Sequence, residues 1–201
     1  MPTIEFQGDD GPAIEYIRKR GYASYSSMKN VRDKEIPKFL DAKYLKFGKE
    51  LHSRALEHII LEELSEPEEK MLKAMLNRLW AHPVWCKLLK QAKTEQQFHQ
   101  PLWGLPVLGY IDILNVDNVA DLKTTYVNKM KDFVAAMDFL QAALYLEVTG
   151  LKDFYYIGIS KRAPHDLFVF NVNQYPEKLK AAREQLKKLI PHILEQLKSA
   201  A

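Results

Sequence analysis

The sequence lacks the features that would place it outside the ordinary globular proteins. A single cysteine, Cys86, stands among 201 residues, which excludes an internal disulfide and any cysteine-based zinc site. No window approaches the roughly 18 uninterrupted apolar residues of a membrane span. The first residues also lack the basic segment and apolar run of a signal peptide. We therefore expect a cytoplasmic protein with no membrane association.

The charge balance is nearly even. The net charge is +3, from 29 basic and 26 acidic residues, which permits an anionic partner without demanding one, because nucleic-acid binding depends on clustered charge. The hydrophobic fraction of 47% and charged fraction of 27% are those of a globular domain with a real core. We predict one domain over residues 1–201, divided into an entry segment (1–43), a core (44–172) and a C-terminal helix (173–201).

Hydrophobic periodicity divides the chain into helices and strands. Apolar residues at helical spacing predict the main helices, at 43–64, 65–80, 128–150 and 176–200. Short apolar runs bounded by turn residues predict strands within 94–104, 105–115, 118–125, 153–161 and 166–173. Strands interrupted by a long crossover helix predict an α/β fold with a mixed sheet.

Residues 109–125, GYIDILNVDNVADLKTT, carry charges inside two apolar strands. Asp121 and Lys123 share one face of a strand, since side chains alternate. A turn from Asn115 to Asn118 would place Asp112 opposite Asp121. Two carboxylates at such a short distance repel each other unless a proton or a cation lies between them. Carboxylate oxygens are suitable ligands for Mg²⁺ or Mn²⁺. The alternative is a solvated hairpin whose ion pairs are worth about 0–1 kcal/mol, and the hairpin alone favours it.

Other residues offer independent support for a site. Glu95 begins the first strand of the meander, at the edge that Asp112 would reach. His52 lies on the apolar face of the predicted 43–64 helix, where a hydrogen-bonded core histidine is the commoner explanation. Gln141 and Tyr145 lie one helical turn apart on the buried stripe of the 128–150 helix. A buried amide without a partner costs about 1–3 kcal/mol, so Gln141 needs one.

In this order, these residues resemble the PD-(D/E)XK nuclease superfamily. The resemblance is to its exonuclease branch, shared by RecB-type nuclease domains, Cas-associated nucleases and RecE-like or lambda-type phage exonucleases. It covers roughly residues 22–172 and departs from the pattern at Ile111, where a proline often precedes the aspartate. The motifs are G-x-x-x-H, E, G-x-x-D, D-x-K and Q-x-x-x-Y, matched here by Gly48, His52, Glu95, Gly109, Asp112, Asp121, Lys123, Gln141 and Tyr145.

The resemblance implies a fold and a function. The fold is a restriction-endonuclease-like α/β core (αβββαβ) with a central mixed β-sheet flanked by helices. The function is that of a Mg²⁺- or Mn²⁺-dependent DNA exonuclease of phage-type recombination or DNA repair, acting on linear duplex or single strands. A single-strand annealing protein and a homo-oligomer are the implied partners. Two alternatives stay open: a catalytically inactive DNA-binding or assembly protein of the same fold, and a restriction-type endonuclease.

The same resemblance implies the metal-binding residues. Asp112 and Asp121 would be the central ligands, with His52 as a further ligand from the helix. The backbone carbonyl of Leu122 would join them. Glu95 would either bind the metal or tune the site.

It also implies residues that act on the reacting strand. Lys123 would position or polarise the attacking water. Gln141 and Tyr145 would bind the DNA strand or hold Lys123, and for Tyr145 a plain core role is an equal alternative. Basic residues at 18–20, 29–34, 129–131 and 161–162 are candidates for phosphate contacts, although for each one alone a solvated surface charge is the better explanation.

Overall fold

The computed structural model describes residues 11–34 and 42–199, and for 42–45 the backbone alone. Predictions for residues 1–10, 35–41 and 200–201 lie outside that part of the chain. The helices are α1 (Gly11–Arg20), α2 (Tyr25–Asp33), α3 (Ala42–His52), α4 (Glu66–Trp80), α5 (Pro83–Leu89), α6 (Met130–Ala136), α7 (Phe139–Thr149) and α8 (Pro176–Ser199). The strands are β1 (Lys93–Leu102), β2 (Leu105–Leu114), β3 (Asn118–Thr125), β4 (Asp153–Ser160) and β5 (Leu167–Asn171).

The strands form one mixed sheet in the order β1-β2-β3-β4-β5. β1–β2, β2–β3 and β4–β5 pair antiparallel, whereas β3 and β4 are parallel and are joined by α6 and α7. A parallel pair requires such a crossover, because a tight hairpin joins only antiparallel strands. The predicted α/β fold with a mixed sheet flanked by helices is confirmed. No helix in the described ranges is long and apolar enough to cross a membrane.

Each face of the sheet carries its own hydrophobic core. One core joins α1, α2, α6, α7 and α8 to residues such as Ile111, Val119 and Phe154. The other joins α3, α4 and α5 to Ile113 and Leu122. Helices therefore cover both faces, as a largely apolar sheet requires.

The helix predicted over residues 43–64 was too long. α3 ends at His52, a π-helical turn over Ser53–Glu57 follows, and His58 has a left-handed φ of +59°. Ile59, an apolar residue at helical spacing within the predicted helix, is 49% exposed. The chain leaves the helix because the backbone N–H groups beyond the π-helical turn bind the carboxylate of Glu50 instead of helix carbonyls.

The helix predicted over residues 128–150 is two helices. α6 ends before Met137, whose ψ of 136° is extended, and α7 begins after Asp138. The Asp138 side chain accepts a hydrogen bond from the backbone N–H of Leu140 at 3.0 Å. An aspartate N-cap of this kind ends one helix and starts another within a continuous apolar pattern.

Candidate active site

Three acidic residues stand in one row across the sheet. Ile113 on β2 pairs with Ala120 on β3, so the register places Asp112 opposite Asp121. The residues that flank Glu95 on β1 pair with those that flank Asp112. The predicted turn is present, since the backbone N–H of Asn115 donates to the carbonyl of Asn118 at 2.9 Å.

The sheet is distorted where this row crosses it. Glu95 has a positive φ of 49°, unusual for a residue in a strand. Ile111 and Ile113 lie in the cores on opposite faces of the sheet, although residues two apart in a regular strand share a face. The alternation therefore breaks at Asp112. Local breaks of this kind re-aim side chains and are common beside active sites.

The Asp112 side chain is held by the backbone of the neighbouring strand. The backbone N–H of Leu122 donates to Asp112 Oδ2 at 2.7 Å. Burial raises the pKa of Asp112 well above its usual range, and the nearby carboxylate of Asp121 raises it further. Two carboxylates are thus forced together in a partly dry site, an arrangement that a cation relieves.

His52, Glu95 and Asp112 converge. Each offers one ligand atom, and these atoms all lie within 4.8 Å of one another. His52 Nδ1 is 3.5 Å from Asp112 Oδ2 and 3.8 Å from Glu95 Oε1. Burial alone would lower the pKa of His52, but the nearby carboxylates of Asp112 and Glu95 outweigh burial and raise the pKa.

Asp121 lies beside this group but its carboxylate binds other partners. Asp121 Oδ1 accepts hydrogen bonds from Lys123 Nζ at 2.9 Å and from Gln141 Nε2 at 2.7 Å. Lys123 Nζ is also 2.7 Å from Asp121 Oδ2. Gln141 is buried, so Asp121 supplies the partner that its amide needs. Gln141 therefore contacts Asp121, which lies two residues before Lys123 on β3.

Tyr145 fixes the backbone of β2 from one helical turn farther along α7. Its hydroxyl donates to the carbonyl of Tyr110 at 2.9 Å, and its ring packs edge-on against Phe98, with centroids 5.6 Å apart. Phe98 in turn covers Gly109, where an added Cβ would lie 2.5 Å from the ring. The glycine of the G-x-x-D motif is therefore needed for close packing, and only its aspartate reaches the group of ligand atoms.

Asp138 and Glu50 support the site from outside, and the sequence analysis did not identify either of them. Asp138 lies at the start of the helix that carries Gln141, and its Oδ2 is 2.7 Å from Arg32 Nη2 on α2. Glu50, fully buried on α3, accepts a 2.6 Å hydrogen bond from Arg54. Aspartate before an apolar run is a sequence signal for a helix start and would have revealed Asp138. The i, i+4 spacing of Glu50 and Arg54 indicates a helix pair, but no local signal shows that Glu50 is buried and binds backbone groups after the π-helical turn.

The side chains fit a divalent cation. A histidine nitrogen and two carboxylate oxygens within 4.8 Å are a donor set of the right chemistry. A cleft of about 560 Å³ opens onto His52 and Glu95 and is also lined by Lys49, Tyr110 and Thr124. The structure brings together three of the residues predicted to bind metal or tune the site: His52, Glu95 and Asp112. Asp121 is adjacent, and a ligand role for the carbonyl of Leu122 stays a prediction.

Comparison with known proteins agrees with this geometry. The family described as PDDEXK-like domain of unknown function (DUF3799) matches residues 37–201. A candidate exonuclease from Eubacterium rectale superposes over 100% of this chain and 88% of its own, with a TM-score of 0.63 and 16% identity, which shows a shared fold. An alkaline exonuclease (LHK-Exo) from Laribacter hongkongensis covers 92% and 97%, but its TM-score of 0.39 at 13% identity carries no argument. No protein of curated function matches the sequence.

Proposed function

Because the chain belongs to the family of PDDEXK-like domains, we propose that it is a metal-dependent DNA exonuclease that hydrolyses phosphodiester bonds. The convergence of His52, Glu95 and Asp112 beside the ion pair of Asp121 and Lys123 carries the proposal. A solvated hairpin, the alternative reading of residues 109–125, would leave its carboxylates apart and exposed. The similar Eubacterium rectale structure, named a candidate exonuclease, supports the same class of activity.

The residues divide the work between two groups. Mg²⁺ or Mn²⁺ held by His52, Glu95 and Asp112 would polarise the scissile phosphodiester and stabilise the negative charge that develops on it. The backbone N–H of Leu122 keeps the Asp112 carboxylate aimed at that point. The distorted strand at Glu95 brings the third donor to the same place.

Lys123 acts as a fixed cation in this proposal. Burial alone would lower its pKa, but the carboxylates of Asp121 and Asp112 outweigh burial and raise the pKa. Nζ therefore keeps its proton at neutral pH and donates hydrogen bonds to the attacking water or to a phosphate oxygen. Gln141 supports it indirectly, because its amide holds the Asp121 carboxylate that pairs with Lys123.

The first test is degradation of DNA by the purified chain with Mg²⁺ or Mn²⁺. Linear duplex and single-stranded DNA should be degraded from their ends, while covalently closed circles stay intact. Asp112→Asn and Lys123→Ala should each lower the rate about 100-fold or more. Asp117→Asn is the matched control, because Asp117 is an exposed carboxylate in the turn of the same hairpin and should leave the rate unchanged.

Metal binding is measured separately from cleavage. Mn²⁺ should raise the melting temperature of the wild type, because a ligand that binds only the folded state stabilises it. The Asp112→Asn variant should show a much smaller rise. Cleavage of closed circles would point to the endonuclease alternative, and DNA binding without cleavage under either metal would point to the inactive one. Either result refutes the exonuclease proposal.

The wider role is also part of the proposal. The resemblance to phage-type recombination exonucleases supports a role in recombination or DNA repair, together with a single-strand annealing protein and assembly into a homo-oligomer. Copurification of the chain with such a protein, and its mass in solution, are the measurements for these partners.

A further inference from the structure

We propose that the cleft beside His52 holds an unpaired nucleobase between Tyr110 and Leu61, so that the strand being cut is single-stranded at the site. This rests on the proposed nuclease function, and it names the form of the DNA that the site accepts. Tyr110 and Leu61 both line the cleft that contains His52 and Glu95. The two residues are 53% and 55% exposed, so each offers apolar surface to a ligand in the cleft.

Tyr110 is a rigid aromatic surface. It precedes Asp112 by two residues on β2, a separation of about 7 Å along a strand. Its backbone pairs with Gln97 on β1, and its carbonyl accepts the hydroxyl of Tyr145 at 2.9 Å. The ring is thus exposed while the backbone that carries it is fixed. A nucleobase can stack on such a ring with little loss of side-chain entropy.

Leu61 lines the same cleft as Tyr110, and a buried carboxylate holds its backbone in place. Its backbone N–H lies 3.1 Å from Glu50 Oε2, and the N–H of Glu62 donates to the same oxygen at 3.1 Å. Glu50 is 1% exposed and also accepts from Arg54. A buried charge demands such partners, so the segment that presents Leu61 is anchored although the leucine itself faces the cleft.

The charges of the lining favour a base over the backbone of a duplex. Lys49 is the only lysine or arginine among the described residues that line the cleft, which also include His52, Glu57 and Glu95. Duplex DNA carries one phosphate charge per about 1.7 Å of its axis and needs several basic contacts. A neutral base needs only an apolar slot, but a paired base must first leave its stack, which costs a few kcal/mol. The slot therefore selects strands that are already unpaired, such as single strands and frayed ends.

The experiment measures binding of a fluorescently labelled single strand by anisotropy in EDTA, where no cleavage occurs. Tyr110→Ala should weaken binding about five- to 150-fold, the range for loss of one stacked base, while Tyr110→Phe should bind within about twofold of wild type because the ring remains. Trp103→Ala is the matched control. Trp103 is 44% exposed in the turn between β1 and β2. The end of β2 next to that turn lies roughly seven residues, or about 24 Å, from Asp112.

A second arm removes the base instead of the ring. Single strands with one abasic nucleotide, moved stepwise from the end, should contain one position that weakens wild-type binding but leaves Tyr110→Ala unaffected, since paired groups are non-additive. A blunt duplex should bind more weakly than the single strand and be insensitive to Tyr110→Ala. Three results would each refute the proposed base slot. Tyr110→Ala could bind the single strand as tightly as wild type, its loss could be additive with that of every abasic position, or the blunt duplex could bind as tightly as the single strand.

The outcomes separate this inference from the nuclease proposal. A protein that degrades no DNA but shows the dependence on Tyr110 and on one base keeps the slot and refutes the nuclease. A protein that degrades blunt duplex and single strands at equal rates, with Tyr110→Ala as active as wild type, keeps the nuclease and refutes the slot.

Discussion

Asp138 connects the N-terminal helices to the helix that carries Gln141, and its removal should have two separable effects. Its Oδ1 accepts the backbone N–H of Leu140 at 3.0 Å, which caps α7, and Nη1 of Arg32 at 2.9 Å. Nη2 of Arg32 lies 2.7 Å from its Oδ2. One side chain is thus both a helix cap and half of a partly buried ion pair.

Two substitutions distinguish these roles. Asn caps a helix about as well as Asp, so Asp138→Asn removes the ion pair alone. Hydrogen bonds to charged groups contribute about 1.5–3 kcal/mol, but Arg32 keeps a second partner in Asp33, so we expect a loss of about 1–2 kcal/mol. Asp138→Ala removes the cap as well and should cost about 1 kcal/mol more.

The ion pair also predicts a pH dependence. Burial alone would raise the pKa of Asp138, but the hydrogen bonds from Arg32 and the Leu140 N–H outweigh it and lower the pKa. A carboxyl with a lowered folded-state pKa adds stability above its unfolded pKa of about 3.9 and loses it as pH falls through the folded value. The stability gap between wild type and Asp138→Asn should be constant from pH 5 to 8 and shrink below about pH 4.

Urea unfolding followed by circular dichroism measures these differences. At pH 7 the order of stability should be wild type, then Asp138→Asn, then Asp138→Ala. An Asn variant as stable as wild type at pH 7 would refute the contribution of the ion pair. A gap that stays the same at pH 3 would refute its electrostatic origin.

Two further predictions concern packing and buried charge. Gly109→Ala places a Cβ 2.5 Å from the Phe98 ring, so it should lower the free energy of unfolding by about 1–3 kcal/mol. Gly48→Ala is the control in the same urea titration, because its Cβ meets nothing within 4 Å and a helical alanine gains about 0.5–1 kcal/mol. Glu50→Ala leaves the backbone N–H groups of Leu61 and Glu62 without their acceptor, whereas Arg54 keeps Glu69. It should cost about 1–3 kcal/mol for each N–H group that loses its partner, more than Glu50→Gln, which keeps one acceptor oxygen. Equal melting temperatures of the two Glu50 variants would contradict this.

The strands were predictable because their signals are local. Short apolar runs and the turn residues that bound them placed β1, β2 and β3 within a residue or two of the observed bounds. The position of the turn then set Asp112 opposite Asp121. The convergence of His52 with that row was not predictable from local pattern, because the two lie 60 residues apart. The resemblance to a nuclease family supplied that link.

The prediction of one continuous helix over residues 128–150 was wrong because the apolar pattern does not show where the helix divides. Helical periodicity continues unchanged through Met137 and Asp138, so the apolar pattern contains no break. What divides the helix is a tertiary partner, Arg32, which fixes Asp138 as a cap. A prediction from periodicity weighs burial and omits competition between the helix and such side-chain partners. The break matters for the site, since it starts α7 close to Gln141.

The early end of α3 also results from side chains that compete with the helix for backbone groups, and it affects the cleft beside the candidate site. A helix continued to residue 64 would bury Ile59 and direct the following backbone N–H groups to helix carbonyls. Instead, Ser53 Oγ donates to the carbonyl of Ile59 at 2.9 Å, and Glu50 takes the N–H groups of Leu61 and Glu62. A buried carboxylate without those donors would be far more costly than an exposed isoleucine. The chain therefore gives up apolar burial after His52, and the leucine this exposes becomes part of the wall of the cleft.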